Sequence, residues 1–173
     1  MHVAEMDYPV AEPIRTALGE LVAHSDMGYL GPMPEIAPAF ISFAQSRWGW
    51  TPDTSHARLA PDVGVATVEF LRAHKVSRVI ITSPVYAGFW HWLEELDIEI
   101  VDVPLTSDFR LDTDGIEREF ANGIGHLLLC NPHNPLGRVF TRDELLALAD
   151  AADRHNAVVI ADEIHAPLTY PGT

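Results

Sequence analysis

The sequence predicts an α/β fold: three layers, α/β/α, around a mostly parallel sheet. Three observations carry that expectation. From Pro61 onward, short apolar runs alternate with helix-like segments. The runs SRVIIT, GHLLLC and AVVIA are apolar at successive positions rather than alternate ones, the mark of strands covered on both faces. Each of these runs leads into a polar cluster, SPVY, NPHNPLGR and DEIH respectively. In a parallel sheet the segments after the strand ends share one crevice, where ligands bind.

The elements follow in order. VAEPIRTALGELVAH (10–24) places Ile14, Leu18, Leu21 and Val22 at helical spacing. PEIAPAFISFAQSRWGW (34–50) reads as a second helix with Pro38 near its start, and PDVGVATVEFLRAH (61–74) as a third with Asp62 as N-cap. SRVIITSP (77–84) is a strand stopped by Pro84, YAGFWHWLEEL (86–96) a helix and IEIVDVPL (98–105) a strand. LDTDGIEREF (111–120) gives a short helix and GHLLLC (125–130) a strand. TRDELLALADAADRHN (141–156) carries the clearest helix signature: Thr141 and Glu144 match a capping box, and Leu145, Leu148, Ala149 and Ala152 line one face. AVVIA (157–161) is the last strand, with no repeat, linker or low-complexity segment anywhere.

Composition narrows the function classes. The 173 residues suit one domain or a large piece of one, and 47% are hydrophobic. Eleven basic against 25 acidic residues give a net charge of −14, which argues against a nucleic-acid surface and fits a cytoplasmic protein. Cys130 is the one cysteine, so no intrachain disulfide forms; it reads as a core residue at a strand end. No apolar run is long enough to cross a bilayer, and MHVAEMDYPV has neither the basic start nor the apolar core of a secretory signal.

The chemistry concentrates in VVIADEIHAPL (158–168), where an apolar strand runs into Asp162, Glu163 and His165. An acidic pair after a strand can hold Mg²⁺ in a nucleotide hydrolase, but that needs G-x-x-x-x-G-K-[ST], and the one lysine, Lys75, follows Ala-His at a helix end. A metal site could draw on His133, His165 and Asp162, though there is no H-E-x-x-H or cysteine pair to demand one. G-x-S-x-G and G-x-G-x-x-G are both absent, which disfavours a serine hydrolase and a dinucleotide fold. A fourth reading explains more residues: a buried aspartate as counter-charge to a cationic pyridine ring used as an electron sink. The plainer alternative is an Asp162 that caps a following turn.

NPHNPLGR, then a helix, an apolar strand and DEIH, resembles the fold-type I pyridoxal-phosphate enzymes, the class I/II aminotransferase superfamily. VAEMDYP, GYLGP, SPVYAGF, CNPHNPLGRVFTRDEL and ADEIHAPLTYPG resemble its cystathionine β-lyase, or cysteine C–S lyase, branch. The resemblance implies pyridoxal 5′-phosphate (PLP) as cofactor, an amino-acid substrate and a homodimer. It implies that Asp162 pairs with the pyridinium nitrogen, that Asn134 hydrogen-bonds the ring's 3-oxygen, and that His165 stands where a tyrosine often faces that oxygen. Tyr86 would stack on the ring, with an ordinary helix-start aromatic as its alternative. The phosphate would sit on the amides of Val63, Gly64 and Val65, with Tyr29 reaching the phosphate of the neighbouring subunit. Glu163 receives no role.

Two departures stand out. Asp62 occupies a position where the family commonly has a small residue. The Schiff-base lysine, expected downstream of DEIH in a Ser-x-x-Lys context, has no counterpart in the chain, nor has the substrate-carboxylate arginine of a small C-terminal domain. Residues 1–50 are therefore expected to form an N-terminal arm with helices, and 51–173 part of a PLP-binding large domain, with the small domain absent. The implied activity is β-elimination by a longer parent enzyme. An aminotransferase and a non-catalytic remnant of the fold are the alternatives.

Overall fold

The computed structural model describes residues 7–29, 31–170 and 172. Residues 3–6 of VAEMDYP, Leu30 of GYLGP and Pro171 of ADEIHAPLTYPG lie outside the described residues. The chain divides into two compact units, one up to His56 and one from Ala57.

The first unit holds α1 (Glu12–Ala23), α2 (Ile36–Trp48) and a 3₁₀ turn at Thr54–His56. Pro13 opens α1, where its missing N–H costs nothing, but Ala11 offers no side-chain cap. The predicted stripe of Ile14, Leu18, Leu21 and Val22 is present, and all four side chains are exposed. α2 stops at Gly49, which adopts a left-handed φ of 65° and sends its N–H back to Gln45 O. Edge-to-face pairs Phe40–Trp50 and Phe43–Trp48 dress its surface.

The second unit is built on four parallel strands, β1 (Arg78–Ile81), β2 (Glu99–Asp102), β3 (His126–Cys130) and β4 (Val158–Asp162), in the order β2-β1-β3-β4. Between them run α3 (Val63–Ala73), α4 (Ala87–Glu95), α5 (Thr113–Ala121) and α6 (Arg142–Arg154). Alternation along the strands sorts the core into two layers. Ile80, Leu127 and Leu129 pack with Ile116, Phe120, Leu148 and Ala151 of α5 and α6. Val79, Ile81, Leu128 and Cys130 pack with Leu71, Phe89 and Leu93 of α3 and α4. The sheet is therefore covered on both faces, as the unbroken apolar runs predicted.

The caps behave as the sequence indicates. Asp62 caps α3, and the Thr141/Glu144 capping box at the start of α6 is complete. β4 is an edge strand, and Val158 and Ala161 along it are exposed. No helix of the described residues is long and apolar enough to cross a membrane.

Candidate cofactor site

Chain order reverses between β1 and β3: β2 lies on one side of β1, and β3 and β4 on the other. That is the switch point at which open parallel sheets bind ligands beyond their C-terminal ends. The three polar clusters read from the sequence all sit at that edge.

After β1, the turn is fastened to the end of β2. Asp102 accepts hydrogen bonds from Ser83 N (3.0 Å) and Ser83 Oγ (2.6 Å), and Leu105 N donates to Ser83 O (2.8 Å). The turn delivers Tyr86 to the position just before α4. Its ring lies over Gly88, where an added Cβ would come within 2.2 Å of it, and makes edge contacts with Phe89 and Trp92. Part of the ring remains open to solvent.

Trp92 joins Tyr86 to the start of α3. Its indole covers Gly64 so closely that a Cβ there would lie 2.8 Å from the ring, so packing by itself already disfavours a side chain at this position. The Asp62 side chain accepts the Val65 N–H at 2.8 Å. Of the three amides expected to hold a phosphate, Val65 already has a partner. Those of Val63 and Gly64 make no hydrogen bond among the described residues.

After β3 the chain reverses within six residues. His133 N donates to Arg138 O (2.6 Å) and Gly137 N to His133 O (2.7 Å). Asn134 sits at the reversal, with its N–H directed to Cys130 Sγ (3.3 Å) and its side-chain amide unbonded among the described residues. Burial, and then the adjacent Asp162 charge, push the Cys130 thiol up, so it remains neutral. His133 is 1% exposed, lies against the Phe140 ring, and has no partner for either ring nitrogen among the described residues. Burial, and then the Arg138 charge, hold its pKa below the ordinary histidine value.

At the end of β4, Asp162 is in register with Cys130. Parallel partners point to the same face, so its carboxylate lies on the α3/α4 side, the side of Gly64 and Tyr86. Asp162 is 7% exposed. One oxygen accepts Ile164 N at 3.1 Å, so the aspartate does cap the following turn, the plainer alternative drawn from the sequence. Among the described residues no lysine, arginine or histidine forms an ion pair with it. Glu163 is exposed; the surrounding protein, then the Asp162 charge, raise its carboxyl pKa. His165, half-buried, lines a groove of about 910 Å³ with Phe140, Leu145, Leu168 and Tyr170, beside the start of α6. Tyr29 belongs to the first unit, between α1 and α2, where it is fully exposed.

Among the described residues no three His, Cys, Asp or Glu side chains converge to hold a metal, so His133, His165 and Asp162 form no such group. Sequence reasoning did not find Asp102, which looks like an ordinary acid at a strand end. It also did not find that Glu144, besides capping α6, takes both its oxygens to Arg138 Nη2 at 3.0 Å. The GR pair and the capping box are visible in the sequence, but their meeting depends on the 133–138 reversal.

Residues 62–173 match the family Aminotransferase class I and II, and the chain belongs to that family. Within it, the chain is 38% identical over 182 residues to a provisionally named cystathionine beta-lyase of Mycobacterium tuberculosis, covering 98% of this chain and 44% of that protein. It is 32% identical over 178 residues to the cystathionine beta-lyase of Bacillus subtilis, covering 99% of this chain and 46% of that one. The crystal structure of the PLP-bound C-S lyase from Staphylococcus hominis superimposes with a TM-score of 0.91 at 26% identity, over 99% of this chain and 46% of that one. The chain thus spans somewhat under half the length of the relatives it matches.

Proposed function

We propose that this chain is the cofactor-holding part of a PLP-dependent C–S lyase that acts on cystathionine or related cysteine conjugates, releasing pyruvate, ammonia and a thiol. One observation carries the reading. A buried carboxylate, Asp162, has no cationic partner among the described residues and stands at the sheet's switch point, on the same side as a helix start with two amides unbonded among those residues. A buried carboxylate is costly alone, and a protonated pyridine removes that cost.

PLP fits these residues. Bound there, it supplies an electron sink for charge developing at the substrate's Cα. Asp162 would keep the ring nitrogen protonated. The uncommitted Asn134 side-chain amide would donate to the ring's 3-oxygen, and the open part of Tyr86 would cover the ring. Val63 and Gly64 would present their N–H groups and the α3 dipole to the phosphate, with Val65 joining if Asp62 releases it. His165 would reach the ring oxygen from the α6 side, and Tyr29 would serve the phosphate of a second subunit in a homodimer. Residues 51–173 would form this part of the large domain, with 1–50 as its N-terminal arm, in a cytoplasmic enzyme. Lys75 lies before β1, at the opposite end of the sheet, where it would not serve as the covalent anchor and base of the reaction.

Titration of this chain with PLP, followed by quenching of tryptophan emission, tests the binding half. Trp92 lies against both Tyr86 and Gly64 and is placed to report it. Saturable quenching that Asp162→Asn weakens supports the reading; an equal affinity in Asp162→Asn sinks it. The full-length enzyme assayed for pyruvate release and for amino transfer to a keto acid tests the chemistry. The family match favours an aminotransferase as the second reading, and transfer without pyruvate would establish it. A full-length polypeptide doing neither would favour a non-catalytic remnant.

A further inference from the structure

The capping box of α6 does more than start a helix. Glu144 is 6% exposed, yet it carries a carboxylate whose four hydrogen bonds are all charge-assisted. Thr141 N (2.9 Å) and Thr141 Oγ1 (2.8 Å) donate to Oε2, and Arg138 Nη2 donates to both oxygens at 3.0 Å. The Arg110 guanidinium approaches at 3.6 Å. Burial works against the charge, but the Thr141 and Arg138 bonds more than offset it and hold the carboxyl below its ordinary range. Arg138 is fixed in turn, since its guanidinium also lies over the Phe140 ring, 5.7 Å from the centroid. Its carbonyl is the acceptor for His133 N, the bond that closes the reversal next to Asn134. Phe140 N donates to Asn131 Oδ1 (3.1 Å), tying the far side of the loop back to the end of β3. A continuous path therefore runs from Glu144 through Arg138 and His133 to Asn134.

We propose that Glu144, acting through Arg138, is a positioning residue that sets the place of the Asn134 side-chain amide. The proposal rests on the reading that Asn134 holds the cofactor's ring oxygen. A capping residue alone would need only the Thr141 contacts. The forked bond to Arg138 serves the loop, and the buried Glu144 charge, which would be left uncompensated without the half-buried Arg138, makes the loop's register costly to change.

Two measurements on this 173-residue chain decide it, with Asp112→Ala as a stability control. Asp112 caps α5 through Gly115 N at 2.9 Å and makes none of these contacts. In the first, amide hydrogen exchange is followed without cofactor. Glu144→Gln is expected to speed exchange of the His133 and Asn134 N–H groups by about tenfold beyond any change in Asp112→Ala. Glu144→Asp should recover part of the protection. In the second, the affinity for PLP and the pH at which its bound absorption band shifts are compared. Asn134→Ala is expected to weaken binding and to move that pH. Glu144→Gln should move it in the same direction, and the double variant no further than Asn134→Ala alone. Exchange rates for His133 and Asn134 in Glu144→Gln equal to those in Asp112→Ala would overturn the proposal. If Asn134→Ala binds PLP as the parent chain does, the assignment of Asn134 is wrong. The exchange arm then still decides whether Glu144 positions the loop.

Discussion

The two units of the chain reach order by different means. From Ala57 onward, two continuous apolar clusters fill the two faces of a parallel sheet. Up to His56, the only buried side chain among the described residues is Ala44. α1 has the periodicity of an amphipathic helix, yet every member of its apolar stripe is exposed, and a twelve-residue helix has little stability of its own in water. Local pattern is enough to form a helix; only long-range packing gives it a stable place. All but one of the candidate site residues belong to the unit that has a core. Tyr29 is the exception, and it is fully exposed among the described residues.

Core truncation should expose this contrast most strongly. Ile80 and Leu127 are fully buried and in register with each other. Ile80→Ala or Leu127→Ala should cost about 2–5 kcal/mol, through lost transfer energy and the cavity left behind. Leu18→Ala in α1, at a side chain 55% exposed, should stay within about 0.5 kcal/mol. Urea denaturation followed by circular dichroism measures both. Comparable losses at the two places would erase the distinction between the units.

The next effect lies at the site itself. Gly64→Ala forces a methyl group against the Trp92 indole and should cost about 1–3 kcal/mol by overpacking. If the α3 start also holds the cofactor phosphate, the same variant should lower PLP affinity, whereas a leucine-to-alanine change elsewhere in α3 should not. Retained stability in Gly64→Ala would mean that the α3–α4 contact yields easily, contrary to the packing described.

A smaller change separates the helices by their ends. Thr141→Ala removes the hydroxyl of the α6 capping box and should cost about 1 kcal/mol. α1 begins at Ala11 with no cap, so Ala11→Asp should increase helicity in the first unit without altering the urea midpoint of the second. A shift of that midpoint would show that the two units unfold together.

Legibility in the sequence followed the same division. Strands, helices and both caps could be read because each depends on neighbours within a few positions: Asp62 to Val65, Thr141 to Glu144. The parallel sheet could be inferred because apolar runs without alternation need cover on both faces. What could not be read were contacts across the fold. Asp102 meets Ser83 over 19 positions, and Trp92 seals Gly64 only once α3 and α4 are packed. Asp62 is instructive in the other direction. As a departure from a family pattern it raised a conflict with a phosphate, and its side chain answers the helix instead, taking the Val65 amide. Tyr86 and Asp162 each carry the plainer role that the sequence allowed, ring packing on α4 and turn capping.

The smallest expected effect concerns pH and again sets the cored unit apart. His133 is enclosed by the loop it closes, facing the Phe140 ring and the Arg138 charge, with Glu144 beyond that arginine. Its folded pKa lies below the unfolded value, so the unfolded chain binds the proton more readily. Stability should therefore be level above about pH 6.5 and fall as the pH drops below it. His126 is shifted in the same direction, by burial and then by the charge of His74, and adds to the slope. Glu163, with its carboxyl raised, opposes it. Glu144 and Glu117, both lowered, lose their contribution only in the carboxylate range, at lower pH. His133→Gln cannot gain the proton. Urea midpoints compared at about pH 7.5 and about pH 5.5 should differ less in this variant than in the parent chain. An undiminished difference would assign the pH response to His126 and leave the buried His133 without a part in it.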